Sequence, residues 1–196
     1  MNVLMLDVDG VLVHEPPAET FTRDAELDAA MAAIRAQLTA DDWQSLATGQ
    51  ADLLERIDEV IRALQLPVTA DRMLDYWYPS ETHIDAAVLE AAKRVRAGGM
   101  RVFLATNQEH RRARYLMEAL GLLSHVDGMV YSAALGHRKP SPDYFALAAT
   151  TVGARPADIV FIDDNAANVE AARLAGWHAT HWLGDMSLDE AISAAR

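Results

Sequence analysis

Apolar residues along this chain fall into two spacings, short unbroken runs and longer stretches with one apolar face, and the two alternate. Val3 to Leu6 is an unbroken run of the kind that makes a strand buried on both faces. Arg101 to Ala105, Gly128 to Ser132 and Ile159 to Ile162 read the same way, and His178 to Leu183 more weakly. Helical spacing fills the intervals. Thr82 to Ala97 carries Val88, Leu89, Ala92 and Val95 on one side and ends at Gly98-Gly99. Glu109 to Leu120 is closed by Gly121, and either Thr106 or Asn107 can cap it. Ser141 to Val152 and Ala166 to Ala175 complete the set, the second ended by Gly176. Strands that alternate with helices predict an α/β fold with a doubly wound parallel sheet.

After Val13 the period changes. His14 to Thr22 is polar and holds Pro16 and Pro17, so it reads as an exit loop. Helices are then predicted over Arg23 to Leu38, Asp41 to Thr48, Ala51 to Leu66 and Asp71 to Tyr78, with Pro67 and Pro79 as stops. The pattern therefore divides the chain into an α/β core, residues 1–13 and 83–196, and an all-helical insert, residues 14–82.

Composition narrows the possibilities. At 196 residues and 51% hydrophobic, the chain can bury one sizeable core and a small accessory unit. It has no apolar run of about 18 residues and no basic leader ahead of one, so neither a membrane span nor a signal peptide is expected. The absence of cysteine excludes disulfides, thiolate metal sites and a Cys nucleophile, and fits a reducing cytoplasm. No H-x-x-x-H pair supports a zinc hydrolase. A net charge of -12 argues against a nucleic-acid partner. That charge is concentrated: His14 to Glu81 holds 14 acids against 5 bases, a net of -9.

The strand ends carry the chemistry. Four of the five strands run into polar clusters: Asp7 and Asp9 after the first, Thr106 and Asn107 after the second, Gly136 to Pro140 with Lys139 after the third, and Asp163, Asp164 and Asn165 after the fourth. The carboxyl edge of a parallel sheet is where such folds bind ligands. Several carboxylates at one point need a cation to stay ionised, and a hard divalent ion such as Mg²⁺ suits oxygen ligands best. Mg²⁺ held by few carboxylates completes its shell with water and phosphate, which points to phosphoryl transfer on a small phosphorylated metabolite. With no Cys and no G-x-S-x-G, the available nucleophile is an aspartate.

Four stretches, D-V-D-G-V-L from Asp7, T-N at Thr106, R-K-P-S-P from Arg138 and F-I-D-D-N-A-A-N-V-E-A-A-R-L-A-G-W from Phe161, resemble the motifs of the haloacid dehalogenase-like superfamily of hydrolases, in order. The run from Lys139 to Trp177 is most similar to its group of sugar-phosphate phosphatases, such as α-glucose-1-phosphate phosphatase. The resemblance implies a helical cap directly after the first strand and an aspartyl-phosphate on Asp7. It implies Asp9 as general acid and base, Thr106 and Asn107 on the phosphoryl group, and Lys139 beside Asp7. Asp7, the Asp9 carbonyl and Asp164 would bind Mg²⁺, with Asp163 as a further ligand or through water. Dehalogenases of the family lack the second acid because a halide leaves without a proton, so Asp9 favours phosphate ester hydrolysis. A phosphomutase and a regulatory module without activity are the other readings, and a monomer or homodimer is expected.

The remaining candidates have plainer readings. Tyr76, Trp77 and Tyr78 are expected mainly as packing, Trp43 as core of the insert, and His14 and Glu15 as a solvated hinge. His110, Arg111, Arg112 and Arg114 read as a solvated helix face, Arg138 as the better anion recruiter, and His137 has no evident partner.

Overall fold

In the computed structural model, which describes residues 2–195, the first apolar run becomes the centre of a five-stranded parallel sheet. β1 (Val3–Leu6) lies between β4 (Arg101–Thr106) and β6 (Ile159–Asp163), with β5 (Gly128–Tyr131) and β7 (His178–His181) outside them. All four residues of β1 are fully buried, which is why the run is continuous instead of alternating. Leu4 and Leu6 face one apolar cluster, beneath α5 (Ala86–Ala97) and α10 (Leu188–Ala194). Val3 and Met5 face the other, beneath α8 (Pro142–Val152) and α9 (Ala166–Leu174). The register sets Leu6 beside both Leu104 and Ile162, so the residues that follow these three strands emerge at one edge.

The insert is helical, as expected: α1 (Ala25–Gln37), α2 (Ala40–Ala47), α3 (Leu53–Leu64) and α4 (Ala70–Ser80). Asp24, Thr39, Asp52 and Thr69 cap them through side-chain oxygens. Ile34, Ile57 and Met73, all fully buried, centre an apolar cluster separate from the two flanking the sheet. α4 passes through Pro79 instead of stopping there. In the last turn a proline removes a single helical hydrogen bond, and Thr82 takes up the carbonyls of Tyr78 and Pro79.

Several short elements depart from the expected pattern. The chain leaves and re-enters the core as a two-stranded ribbon, β2 (Val13–His14) antiparallel to β3 (His83–Ile84). The helix expected from Thr82 therefore begins at Ala86, where Asp85 accepts from the amides of Ala87 and Val88. The helix expected to Leu120 is α6 (His110–Arg114) followed by a wider π turn over Tyr115–Ala119. Ser132 starts a one-turn helix, α7 (Ser132–Leu135), instead of ending β5, and β7 stops two residues early. α10, unforeseen, is fixed by a capping box between Ser187 and Glu190.

Candidate active site

Four loops meet at the carboxyl edge of the sheet, with the Lys139 ammonium at their junction. Its Nζ donates to Asp163 Oδ2 at 2.6 Å and to the Ala105 carbonyl at 2.8 Å, and lies 2.9 Å from Asp7 Oδ1. The side chain is 1% exposed. An ammonium this deep is tolerated because two carboxylates and a carbonyl replace its water. Asp163 is fully buried and saturated, accepting from the amide of Asn165 and from the side chain of Asn168 as well. Asn168 was not singled out in the sequence. Its i+5 place after Asp163, inside the helix that follows, is what brings it back onto that acid.

Asp7 is held from both directions: its amide donates to the Ile162 carbonyl at 2.9 Å, and its Oδ1 accepts from the Val8 amide at 2.7 Å. Burial pushes its carboxyl up to about 7, with Lys139 opposing and Asp163 adding to the rise. Asp164, exposed, is also raised, by desolvation first and then by Asp163. Asp7, Asp163 and Asp164 each bring one carboxylate oxygen within 4.8 Å of the others. The approach depends on Gly10, at φ +79°, where a Cβ would stand 2.1 Å from Asp164 Oδ2.

Thr106 lies buried at the end of β4 as expected. Asn107 also holds the loop that carries Lys139: its side chain donates one of its two N–H groups to the Lys139 carbonyl at 3.0 Å and accepts from the Lys139 amide at 2.8 Å. Neither residue caps α6. That cap is Glu109, which accepts from the amides of Arg111 and Arg112.

The arginine pattern contained a misreading. Arg112 is not on a solvated face: its side chain is 16% exposed and its guanidinium grips Asp9 with two hydrogen bonds, Nη2 to Oδ1 at 2.8 Å and Nη1 to Oδ2 at 2.9 Å. Gln108, also missed, donates to Asp9 Oδ2 at 2.5 Å and accepts from Arg112 at 3.1 Å. Gln108 precedes the cap of α6 and Arg112 lies inside the helix, so no helical spacing linked the two in the sequence. Arg111 instead binds Asp52 of the insert, Arg138 reaches Gln44, and His110 stands against Tyr131. Arg138 is thus a contact to the insert and not an anion recruiter facing the acids. His137 lies 3.6 Å from Asp143, and His14 3.9 Å from Asp85.

Insert and core enclose a cleft of about 210 Å³. Trp43, Trp77, Tyr78 and Arg35 line it from the insert, Gln108 and Arg112 from the core. Trp43, expected in the insert's core, is 38% exposed and meets Trp77 edge-on at 6.2 Å. Arg35 stacks over Trp77 at 4.5 Å and pairs with Glu81, which also accepts from Trp77 Nε1. The Tyr78 hydroxyl donates to Glu109 at 2.8 Å, and burial together with that carboxylate keeps it protonated. Tyr76 points elsewhere, against Phe21 and Asp28. Among the described residues no helix is long and apolar enough to cross a membrane.

A family model described as haloacid dehalogenase-like hydrolase matches residues 1–176. The chain belongs to this family. It is 24% identical over 191 residues to a phosphoglycolate phosphatase of Nitrosococcus oceani, covering 90% of this chain and 81% of that one. It is 36% identical over 76 residues to the fructose-1-phosphate phosphatase YqaB of Escherichia coli, covering 39% and 40%. A match to the chloroplastic protein SUPPRESSOR OF QUENCHING 1 of Arabidopsis thaliana, 25% identical, covers 89% of this chain and 17% of that longer protein. Among solved structures, a family enzyme from Bacteroides thetaiotaomicron in complex with magnesium and inorganic phosphate superposes with a TM-score of 0.79 at 16% identity, covering 97% and 98%.

Proposed function

We propose that this hydrolase is a Mg²⁺-dependent phosphatase of small phosphate monoesters, with a sugar or other alcohol as leaving group and an aspartyl-phosphate formed on Asp7. The observation that carries the reading is the buried Lys139 between Asp7 and Asp163, beside a second acid, Asp9, on the same loop as Asp7. Phosphatases among the relatives, and the magnesium and phosphate in the Bacteroides structure, support it.

The donor set fits the ion. Three carboxylates converge, all ligands are oxygen, and Asp7 has a raised pKa that a nearby dication would relieve. Asp7, Asp164 and the Asp9 carbonyl would hold Mg²⁺, which supplies charge neutralisation for the phosphoryl oxygens. Asp163 is the weaker ligand because its oxygens already accept from Lys139, Asn165 and Asn168. It holds Lys139, and would reach the metal only through water.

Asp7 attacks phosphorus and the ester bond breaks, while Asp9 gives its proton to the departing alcohol. Water then loses a proton to Asp9 and attacks the same phosphorus, releasing phosphate and restoring Asp7. Thr106 and the amides beyond β4 bind the phosphoryl oxygens, Asn107 fixes Lys139, and the ammonium balances the charge that builds between Asp7 and the phosphoryl group. The insert acts as the cap, residues 14–82, and its tryptophan-lined cleft receives the leaving group.

The test is phosphate release from p-nitrophenyl phosphate and then from a panel of sugar, polyol and carboxylate phosphates. Turnover that requires Mg²⁺, stops with EDTA and is lost in Asp7→Asn is the expected result. Metal-independent halide release from 2-chloropropionate would instead return the chain to dehalogenation.

A further inference from the structure

We propose that Glu81 is a positioning residue for Arg35 and, through it, sets which leaving groups the cleft accepts: with that guanidinium held, esters of uncharged alcohols fit and esters whose alcohol carries an anion are refused. The inference rests on the phosphatase reading and concerns the half of the substrate that departs. Among the described residues, Arg35 is the one basic side chain that the insert brings to the cleft, although the segment from His14 to Glu81 holds five. It is engaged from two sides. One Glu81 oxygen accepts from its Nη2, and its guanidinium lies 4.5 Å over the Trp77 ring. The other Glu81 oxygen accepts from Trp77 Nε1 at 2.8 Å, so carboxylate, guanidinium and indole form a closed set. Glu81 also lines the adjoining pocket that holds Asp9 and Gly10, which puts the set beside the loop of the reacting acids.

The rest of the lining offers a second anion nothing better. Glu109 is itself an acid, and the core's arginine in the cleft, Arg112, turns both arms of its guanidinium to Asp9. Both guanidiniums are therefore already bound to acids. Trp43, Leu46, Leu53 and Tyr78 complete the walls, which suits a flat or apolar face. A bland reading of the Arg35–Glu81 pair is a brace between α1 and the end of α4. With the two side chains 40% and 27% exposed, such a brace contributes little to stability. Its effect on a ligand is larger. A carboxylate about 6 Å from an uncompensated guanidinium, at an effective dielectric of about 20, binds about 10²-fold more tightly, and screening at a partly open site reduces this to about tenfold. Glu81 cancels that attraction.

The experiment uses phenyl phosphate and its 3- and 4-carboxy derivatives, flat esters that differ by one carboxylate. Each is added as a competitor of p-nitrophenyl phosphate hydrolysis with Mg²⁺ present, so affinity is read whether or not the competitor is turned over. The protein as it stands should bind both carboxylated esters at least about tenfold more weakly than phenyl phosphate. Glu81→Gln keeps an acceptor for Trp77 Nε1 and loses the charge; it should narrow that ratio about tenfold for at least one of them, with Tm moved by no more than a few degrees. In an Arg35→Met background the same substitution should leave the ratio unchanged, because the cation it would release is gone. Glu81→Met replaces Glu81→Gln in the comparison if the latter fails to fold by circular dichroism. Equal affinity for charged and uncharged esters at the outset, a ratio that Glu81→Gln does not move, or a gain that persists without Arg35 would overturn the proposal while leaving the phosphatase reading in place. No Mg²⁺-dependent release from p-nitrophenyl phosphate at all would sink that reading, and this inference with it.

Discussion

Replacing Lys139 by Met removes the ammonium buried between Asp7 and Asp163 and leaves a side chain of similar length. Asp7 and Asp163, 2.9 and 2.6 Å from that charge, then face each other unbalanced. Removing one partner of a buried pair costs about 3–5 kcal/mol. An independent bound comes from proton uptake. One extra proton can replace the lost charge, and protonating a carboxyl of ordinary pKa near 3.9 at pH 7.5 costs roughly 5 kcal/mol, at about 1.4 kcal/mol per pH unit. The same arithmetic at pH 5 gives roughly 1.5 kcal/mol. The sign follows from linkage: the variant raises the folded-state pKa of these acids, so its penalty is absent below the unfolded value and grows as pH rises. Thermal melts followed by circular dichroism, without metal, should show Tm lowered by about 6–20 °C at pH 7.5 and by a third of that or less at pH 5. A drop of equal size at both pH values would refute the idea that Lys139 balances these carboxylates.

Three further outcomes follow from the same geometry. Because Asp7 is pushed up to about 7, the metal-free protein loses this residue's contribution to stability as pH rises towards 7, and Mg²⁺ must displace a proton below it; the Tm gained with Mg²⁺ should be larger at pH 8 than at pH 6, and equal gains would contradict the shift. Gly10→Ala places a methyl 2.1 Å from Asp164 Oδ2 on a backbone at φ +79°, so it should cost about 1–3 kcal/mol in denaturant melts and weaken Mg²⁺ binding in a calorimetric titration. Trp43→Ala opens one wall of the cleft at a half-exposed position; KM for the best panel substrate should rise several-fold while Tm moves by no more than a few degrees.

What could be read from the chain was what local pattern encodes. A strand buried on both faces shows as a continuous apolar run, so β1, β4 and β6 were legible, and with them the edge at which Asp7, Thr106 and Asp163 emerge. The insert's helices announced themselves through period and caps. The β2–β3 ribbon has two residues on each side, too few for any period to register, and its second strand took the place of a helix start. α7 is a single turn with no side-chain cap to mark it. Arg112 was misread for a different reason: a charge on an early helical turn looks solvated unless its partner is known, and the partner stands in the loop after β1. Asn107 shows the limit of resemblance, since a motif gives the residue but not which of its hydrogen bonds are already committed. Trp43 shows that helical spacing cannot separate a residue facing its own bundle from one facing across to a neighbouring unit.

His14 and His83 are register partners, so the chain departs from the sheet and comes back to it at one spot. Topologically the whole insert is a single long excursion from a hairpin, and a two-residue turn in its place would leave every strand connection of the core intact. Grafting another family member's excursion between Val13 and Ile84 should accordingly transfer substrate preference while the reaction chemistry stays with the recipient, which would make the insert an exchangeable part on which selection can act separately.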